Sequence, residues 1–555
     1  MMAGTDRLKP LMTNRSCKLL VGAVAFLALA PNVHGQNRNP PPARPKPQRP
    51  LDVPPAVVVL QVDTSSGDST RTIIQRDFDY GDRIQPLLLD SATLDDIWRP
   101  GQKRINFSPL AQTRANFVVR ARPTTAGLHV EVYDVPLGRL RQEDYFRLPK
   151  RPSSKLPAIR DSLSSVLGTK AEATNAALAA HAATRDSLAR EATRPVPLKT
   201  TRDRANARRA QAARDSLSRE LDRRDVLLRA SAVQDTIHFD SVYSRFALRD
   251  SVVRDSVERE RRLGIHVVSD EIERWITGTR GISASRIAFV EGPHLKIVDS
   301  DGANERTIPT AGAALSPSWH PSGRYIVYVD ADDRGTRIAQ VDLRTMRPRL
   351  LSVSNRGLNI TPVYTKDGKS IVWASGGDSP AELVLASADG DDSVAVPFVG
   401  RTGFETTSPS FSPDGKQVVF MSPVPLTPQL YTVNVDGTGL RRITPVVPGK
   451  RSYRTGPDWS PKGDLIAFQQ QNGDFQVWTI GVKDHVMRQL TSEGENEDPA
   501  WAPDGRHLSI TRRLGAIGDP RSIWILDIQT GRLRQLTLTG DARLSDWSPP
   551  LRPTY

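Results

Sequence analysis

Three groups of side chains have the types that chemistry needs. The first is Gly281-Ile282-Ser283-Ala284-Ser285. It approaches the Gly-x-Ser-x-Gly elbow that exposes a nucleophilic serine above an α/β-hydrolase sheet. The final glycine of that turn is missing, so a peptidase of the propeller type is disfavoured. The second group is the nine histidines. They are scattered and form neither His-Glu-x-x-His nor a paired metal motif. The third is a set of aspartates. Asp414 and Asp504 lie in Pro-Asp-Gly segments, where the carboxylate bonds its own backbone in a tight turn. Asp458, Asp498 and Asp546 lie beside recurring aromatic residues and would gather near a common axis. A glycan or a metal held there is the alternative to a protein partner. No catalytic residue, resident metal or cofactor is expected.

The elements that position these residues are repeats. The clearest copy runs from Ser408 through Pro409, Phe411 and Pro413-Asp414-Gly415 to Val418-Val419-Phe420. Copies centre on Trp319, Tyr364, Phe411, Trp459 and Trp501, with a truncated one at Trp547, at intervals of 42 to 48 residues. That period marks an array of blades. Apolar residues three and five positions after each turn glycine, such as Val418 and Phe420, predict a strand with a packed face. Further strands, such as 430–435 and 440–444, complete four short antiparallel strands per repeat. Arg286 to Val290 matches the strand after the turn but lacks the aromatic phrase, and Trp547-Ser548-Pro549 has the phrase without the strand. Joined, they make one blade, giving six in a closed ring with no exposed edge.

The rest of the 555 residues divides by composition. Arg7, Lys9, Arg15 and Lys18 precede an apolar run, Leu19 to Ala30. Twelve residues are too few to span a bilayer and suit an export signal over 1–35, cleaved before Gln36. Cys17, the single cysteine, lies ahead of that run, so no disulfide is expected in the mature chain. Residues 36–55 form a Pro-rich linker, extended and coreless. An α/β domain is expected over 56–150 plus 262–282. Its strands are 56–60, 117–122 and 128–134, with helical stretches near 84–97 and 109–115. Between lies 151–261, rich in Ala, Arg, Asp and Ser, read as a charged helical or disordered insert. Ile265, Val268, Ile272 and Ile276 give one apolar helical face, which should pack back on the sheet. The propeller should occupy 283–552. The net charge of +14 comes mostly from arginines interspersed with acids, without the basic stripe of a nucleic-acid binder, so no nucleic acid is expected.

The stretch Val267 to Ile272, then Ile276-Thr277-Gly278, Gly281-Ile282 and Arg286 to Val290, resembles the domain junction of the TolB family. Val130 to Val135 with Gly138, the Pro-x-aromatic blades and the closing Asp546-Trp547-Ser548-Pro549 extend the likeness. The resemblance implies a monomeric periplasmic scaffold of the Tol-Pal envelope system, peripheral to the outer membrane, supporting envelope integrity and division. Its propeller would bind the peptidoglycan-associated lipoprotein Pal. The resemblance allows TolA as a second partner, although the Pro-rich N-terminus is unlike the family's short TolA-binding peptide. It places Pal contacts just ahead of the Pro-x-aromatic phrase, here Leu358, Asn359, Thr361, Thr407, Ser408, Arg454, Glu497 and Asp498. The family usually has a glutamate where Ser408 stands and a histidine near Leu358. The insert at 151–261 is not part of the family pattern.

Overall fold

A computed structural model describes residues 53–60, 69–99, 102–150, 152–195, 200–351, 357–377, 379–390, 395–398, 404–424, 427–445, 452–538 and 540–553. The proposed export signal and nearly all of the linker lie outside these. The chain divides into two compact units, one of residues 1–148 with 262–555 and one of 149–261.

In the first unit, a five-stranded sheet has the order β2-β1-β3-β4-β5. Its strands are β1 (Ala56–Val59), β2 (Gln85–Pro86), β3 (Phe117–Pro123), β4 (Gly127–Asp134) and β5 (Arg139–Arg147). β1 is parallel to β2 and β3, and β3 to β5 are antiparallel. β1 reads Ala-Val-Val-Val and is buried on both faces, as a central strand must be. Helix α1 (Ser69–Gly81) supplies Ile73, Ile74 and Phe78 to one face of the sheet. The sequence reading did not anticipate this helix. Conversely, the stretch read as helical from 84 to 97 begins with β2, and only α2 (Ser91–Ile97) is helical. Asp90 caps α2 by accepting from the Thr93 amide at 2.9 Å. The 109–115 stretch is a single 3₁₀ turn, Pro109–Gln112.

The unit of 149–261 contains α3 (Leu156–Ala192) and most of α4 (Thr201–Thr277). The two run antiparallel, linked by Lys170 to Asp235 at 2.6 Å and His181 to Asp225 at 2.6 Å. Of the two states expected for this stretch, the helical one is found. Leu221 and Asp225 are the only buried residues among those described in this unit. Composition explains this, since Ala, Arg, Asp and Ser bring helix propensity but little apolar area.

The last turns of α4 belong to the first unit. Ile265, Val268, Ile272 and Ile276 are buried there against Val57, Val119, Val130 and Val132 of the sheet. The 3.6-residue period of the sequence thus carries through to packing.

The remaining strands make six four-stranded sheets arranged as a propeller. Five blades are contiguous, and their inner strands are Ala313–Trp319, Leu358–Tyr364, Thr407–Phe411, Tyr453–Trp459 and Glu495–Trp501. The sixth takes its inner strand from the C-terminus, where Ala542–Trp547 pairs antiparallel with Arg286–Glu291 in the register Trp547↔Ile287. The ring closes as the split phrase implies, with the first and last strands hydrogen-bonded. The strand expected over 440–444 shortens to Arg441–Arg442; Ile443 and Thr444 follow it, buried, with the Ile443 amide donating to Leu430 O at 2.9 Å.

The α/β domain contacts the propeller at the end that carries the Pro-Asp-Gly turns. Arg83 reaches Glu273 at 3.1 Å and Asp504 at 2.7 Å. His507 Nδ1 meets Asp504 at 2.8 Å, and Arg534 pairs with Asp82. His266 on α4 bonds Asp77 at 2.8 Å. Burial alone would lower the pKa of His266, but the Asp77 and Asp299 carboxylates hold it up to about 10. It is a buried cation joining α1, α4 and a blade.

Candidate functional site

Each inner strand carries one β-bulge. In the first blade the pairing runs Ile326↔Trp319 and Val327↔Ser318, then skips to Val329↔Leu315. The same break falls between Ile360 and Val363, Thr407 and Ser410, Thr455 and Asp458, Glu497 and Ala500, and Arg543 and Asp546. At each break one residue turns left-handed. These are Ser316 (φ 45°), Thr361 (52°), Ser408 (53°), Gly456 (58°), Asp498 (50°) and Leu544 (54°). Five of the six are not glycine, and Thr361 is β-branched, so backbone strain rings the axis.

The bulge explains the proline of the repeated phrase. Proline follows the left-handed residue in five blades, at 317, 362, 409, 457 and 499, with Ser545 in the sixth. The ladder is interrupted there, so the missing N–H costs no hydrogen bond. Side chains from neighbouring blades take up the left-handed amides. Thr361 Oγ1 accepts from Ser408 N at 3.1 Å, and Gln469 Oε1 from Asp498 N at 2.6 Å. Thr511 Oγ1 accepts from Leu544 N at 3.1 Å and donates to Asp498 Oδ2 at 3.1 Å.

The bulges surround an axial cavity of about 660 Å³. Of the eight residues singled out in the sequence, Thr361, Thr407, Ser408, Glu497 and Asp498 line it. Leu358, Asn359 and Arg454 do not. The position three before the proline points away from the axis between blades, where Asn359, Thr406, Arg454 and Asn496 are all buried. Asn359 Nδ2 donates to Thr336 O at 2.8 Å, and its Oδ1 accepts from Trp373 Nε1 at 3.0 Å. Arg454 donates to Gln470 at 2.7 Å, Gln429 at 2.7 Å and the Pro445 carbonyl at 2.8 Å. Leu358 packs against the core of its blade. The alternation of a strand decides this, and the bulge then turns two successive residues, such as Glu497 and Asp498, toward the cavity.

The three aspartates read as channel ligands have different work. Asp458 accepts from Ser410 Oγ at 2.9 Å and from the Trp501 amide at 2.7 Å. Asp546 accepts from the Trp319 amide at 2.7 Å. Each clasps the next blade, and both line the cavity together with Asp498. Burial, reinforced by Asp458, raises the Asp546 carboxyl to about 7. Burial and the neighbouring Asp498 push Glu497 well above the usual carboxylate range, against the opposing charge of Arg521 at 3.6 Å. Arg521 and Arg543 also line the cavity and were missed. Arg521 follows Pro520 in a connection outside the repeated phrase, so no periodic signal marked it.

Bonded blade to blade and lined by strained bulges, this is a propeller built around an axial cavity. Residues 273–551 match the family described as the TolB beta propeller domain. The Tol-Pal system protein TolB of Bordetella pertussis is 28% identical over 298 residues, covering 52% of this chain and 66% of that protein. Its counterpart in Bordetella bronchiseptica is also 28% identical, covering 52% and 65%. This chain therefore spans just under two thirds of the length of the curated relatives it matches. The crystal structure of TolB from Acinetobacter baumannii shares the fold, with a TM-score of 0.59 at 18% identity, covering 90% of this chain and 97% of that one. The chain belongs to the TolB family.

Proposed function

We propose that this protein is a non-catalytic periplasmic scaffold of the Tol-Pal system that binds a Pal-type peptidoglycan-associated lipoprotein at the propeller mouth. In this role it supports outer-membrane integrity and division, as a monomer peripheral to the outer membrane. The observation that carries the reading is the ring of left-handed bulge residues around the axial cavity, whose lining extends to Glu497 and Arg521 at the start of an inner strand. A partner loop entering there meets backbone already fixed, so little ordering entropy opposes binding. The names of the Bordetella relatives supply the system. Among the described residues no helix is long and apolar enough to cross a membrane. A TolA contact would fall on the N-terminal residues outside the described ones.

Affinity capture from detergent-solubilised envelope tests the proposal. The wild-type chain should retain the lipoprotein, and Ser408→Arg should lose it. Retention of a different envelope component in its place would overturn the assignment.

A further inference from the structure

Among the described residues, the largest aliphatic exposures near the mouth fall on one blade. Ile517 is 91% exposed, Leu538 81% and Leu514 62%. Strand register places all three at the mouth end. Glu495 pairs with Arg513, so residues 514–521 leave the blade beside the start of its inner strand. The connection holding Leu538 leads into Ala542, whose amide donates to Arg521 O at 3.0 Å, while Arg521 N donates to Asp541 Oδ1 at 2.9 Å. The two connections are thus tied together at Arg521, which also faces Glu497 across 3.6 Å.

Ile517 is held out rather than left loose. The Asp519 amide donates to Ala516 O at 3.1 Å, and Asp519 Oδ2 accepts from Ala516 N at 2.8 Å. Gly518 takes φ 107°, the left-handed place in such a turn. A fixed isoleucine at a turn tip is a low-entropy anchor for a partner pocket. The fringe is acidic on balance: Asp519 and Asp541 are exposed, Arg513 is met by Glu495, and Arg521 is shared between Asp541 at 3.9 Å and Glu497 at 3.6 Å.

We infer that Leu514, Ile517 and Leu538 form an apolar anchor on the mouth rim for the Pal-type lipoprotein, whose matching surface carries apolar side chains flanked by lysine or arginine. The inference rests on the proposed function and adds to it the chemistry of the partner face. Continuity with the cavity through Arg521 and Glu497 argues for the same occupant, and the acidic fringe argues for a basic one.

The full chain is titrated with the soluble domain of the lipoprotein by surface plasmon resonance. Ile517→Asp and Leu538→Asp should each weaken binding about tenfold or more. Val486→Asp, at a 63% exposed valine on the opposite end of the propeller, should stay within about twofold. Melting temperatures should match the wild type, since all three side chains are exposed. Binding by the wild type that ignores both rim substitutions overturns this inference alone. No binding by the wild type overturns the proposed function along with it.

Discussion

At the scale of single residues, the mouth is a place where backbone energy has been spent. Ser316 sits at φ 45° with no side-chain need for that conformation, so Ser316→Gly should raise stability by up to about 1 kcal/mol in urea unfolding. Gly456 occupies the same place in another blade. A Cβ there would meet Gln469 Oε1 at 3.5 Å, an ordinary contact, so the cost of Gly456→Ala is conformational and should be about 1 kcal/mol. Unchanged stability in both variants would mean the left-handed ring stores no strain. Asp546 gives a pH signature. Its folded carboxyl, at about 7, lies above the ordinary 3.8, so folding favours the protonated form. That contribution is complete below about pH 4 and is lost as pH rises through 7. Asp546→Asn keeps an acceptor for the Trp319 amide and removes the titration. Its stability should therefore gain on the wild type by about 1.4 kcal/mol per pH unit across that window. Urea melts from pH 4 to 8 would measure it, and parallel curves would contradict it. Five of the eight residues singled out in the sequence line the cavity, because the proline marks the strand position ahead of it. Asn359 and Arg454 were not separable from them, because the bulge that follows resets the alternation and sequence spacing does not reveal it.

Among the elements, those with strong periodicity were readable. The strands after each turn glycine show period two over several residues, and the last turns of α4 show apolar spacings of three and four. Helix α1 was not readable, because its buried stripe is only Ile73, Ile74 and Phe78 amid polar residues. Its burial is paid back at the junction, where Asp77 meets His266. The folded pKa of that histidine, about 10, exceeds its ordinary 6.5, so its contribution is whole below about pH 6.5 and lost as pH rises through 10. His266→Ala leaves the buried Asp77 without its cationic partner, while Asp299 keeps Arg262 and Arg286, and should cost about 3–5 kcal/mol at pH 7. The variant should also lack the wild type's decline between pH 8 and 10. Urea unfolding at both ends of that range decides whether the junction is held by this cation.

Across the whole molecule, the fold class and blade count followed from the regular interval of the aromatic phrase and from its division between the two ends of the propeller. The insert was legible as composition and not as length of helix, since alternating Arg and Asp suit a solvated helix and a disordered chain alike. Its unit buries only Leu221 and Asp225 among its described residues. Replacing residues 152–258 by a Gly-Ser linker should therefore leave the melting temperature of the remainder within a few degrees, measured by calorimetry. The central claim concerns the mouth, and calorimetric titration of the purified chain with the soluble Pal-type lipoprotein tests it most directly. Glu497→Arg and Ser408→Arg should each abolish the binding isotherm while Val486→Asp, on the opposite end, preserves it. An isotherm unchanged by both mouth substitutions would contradict the account.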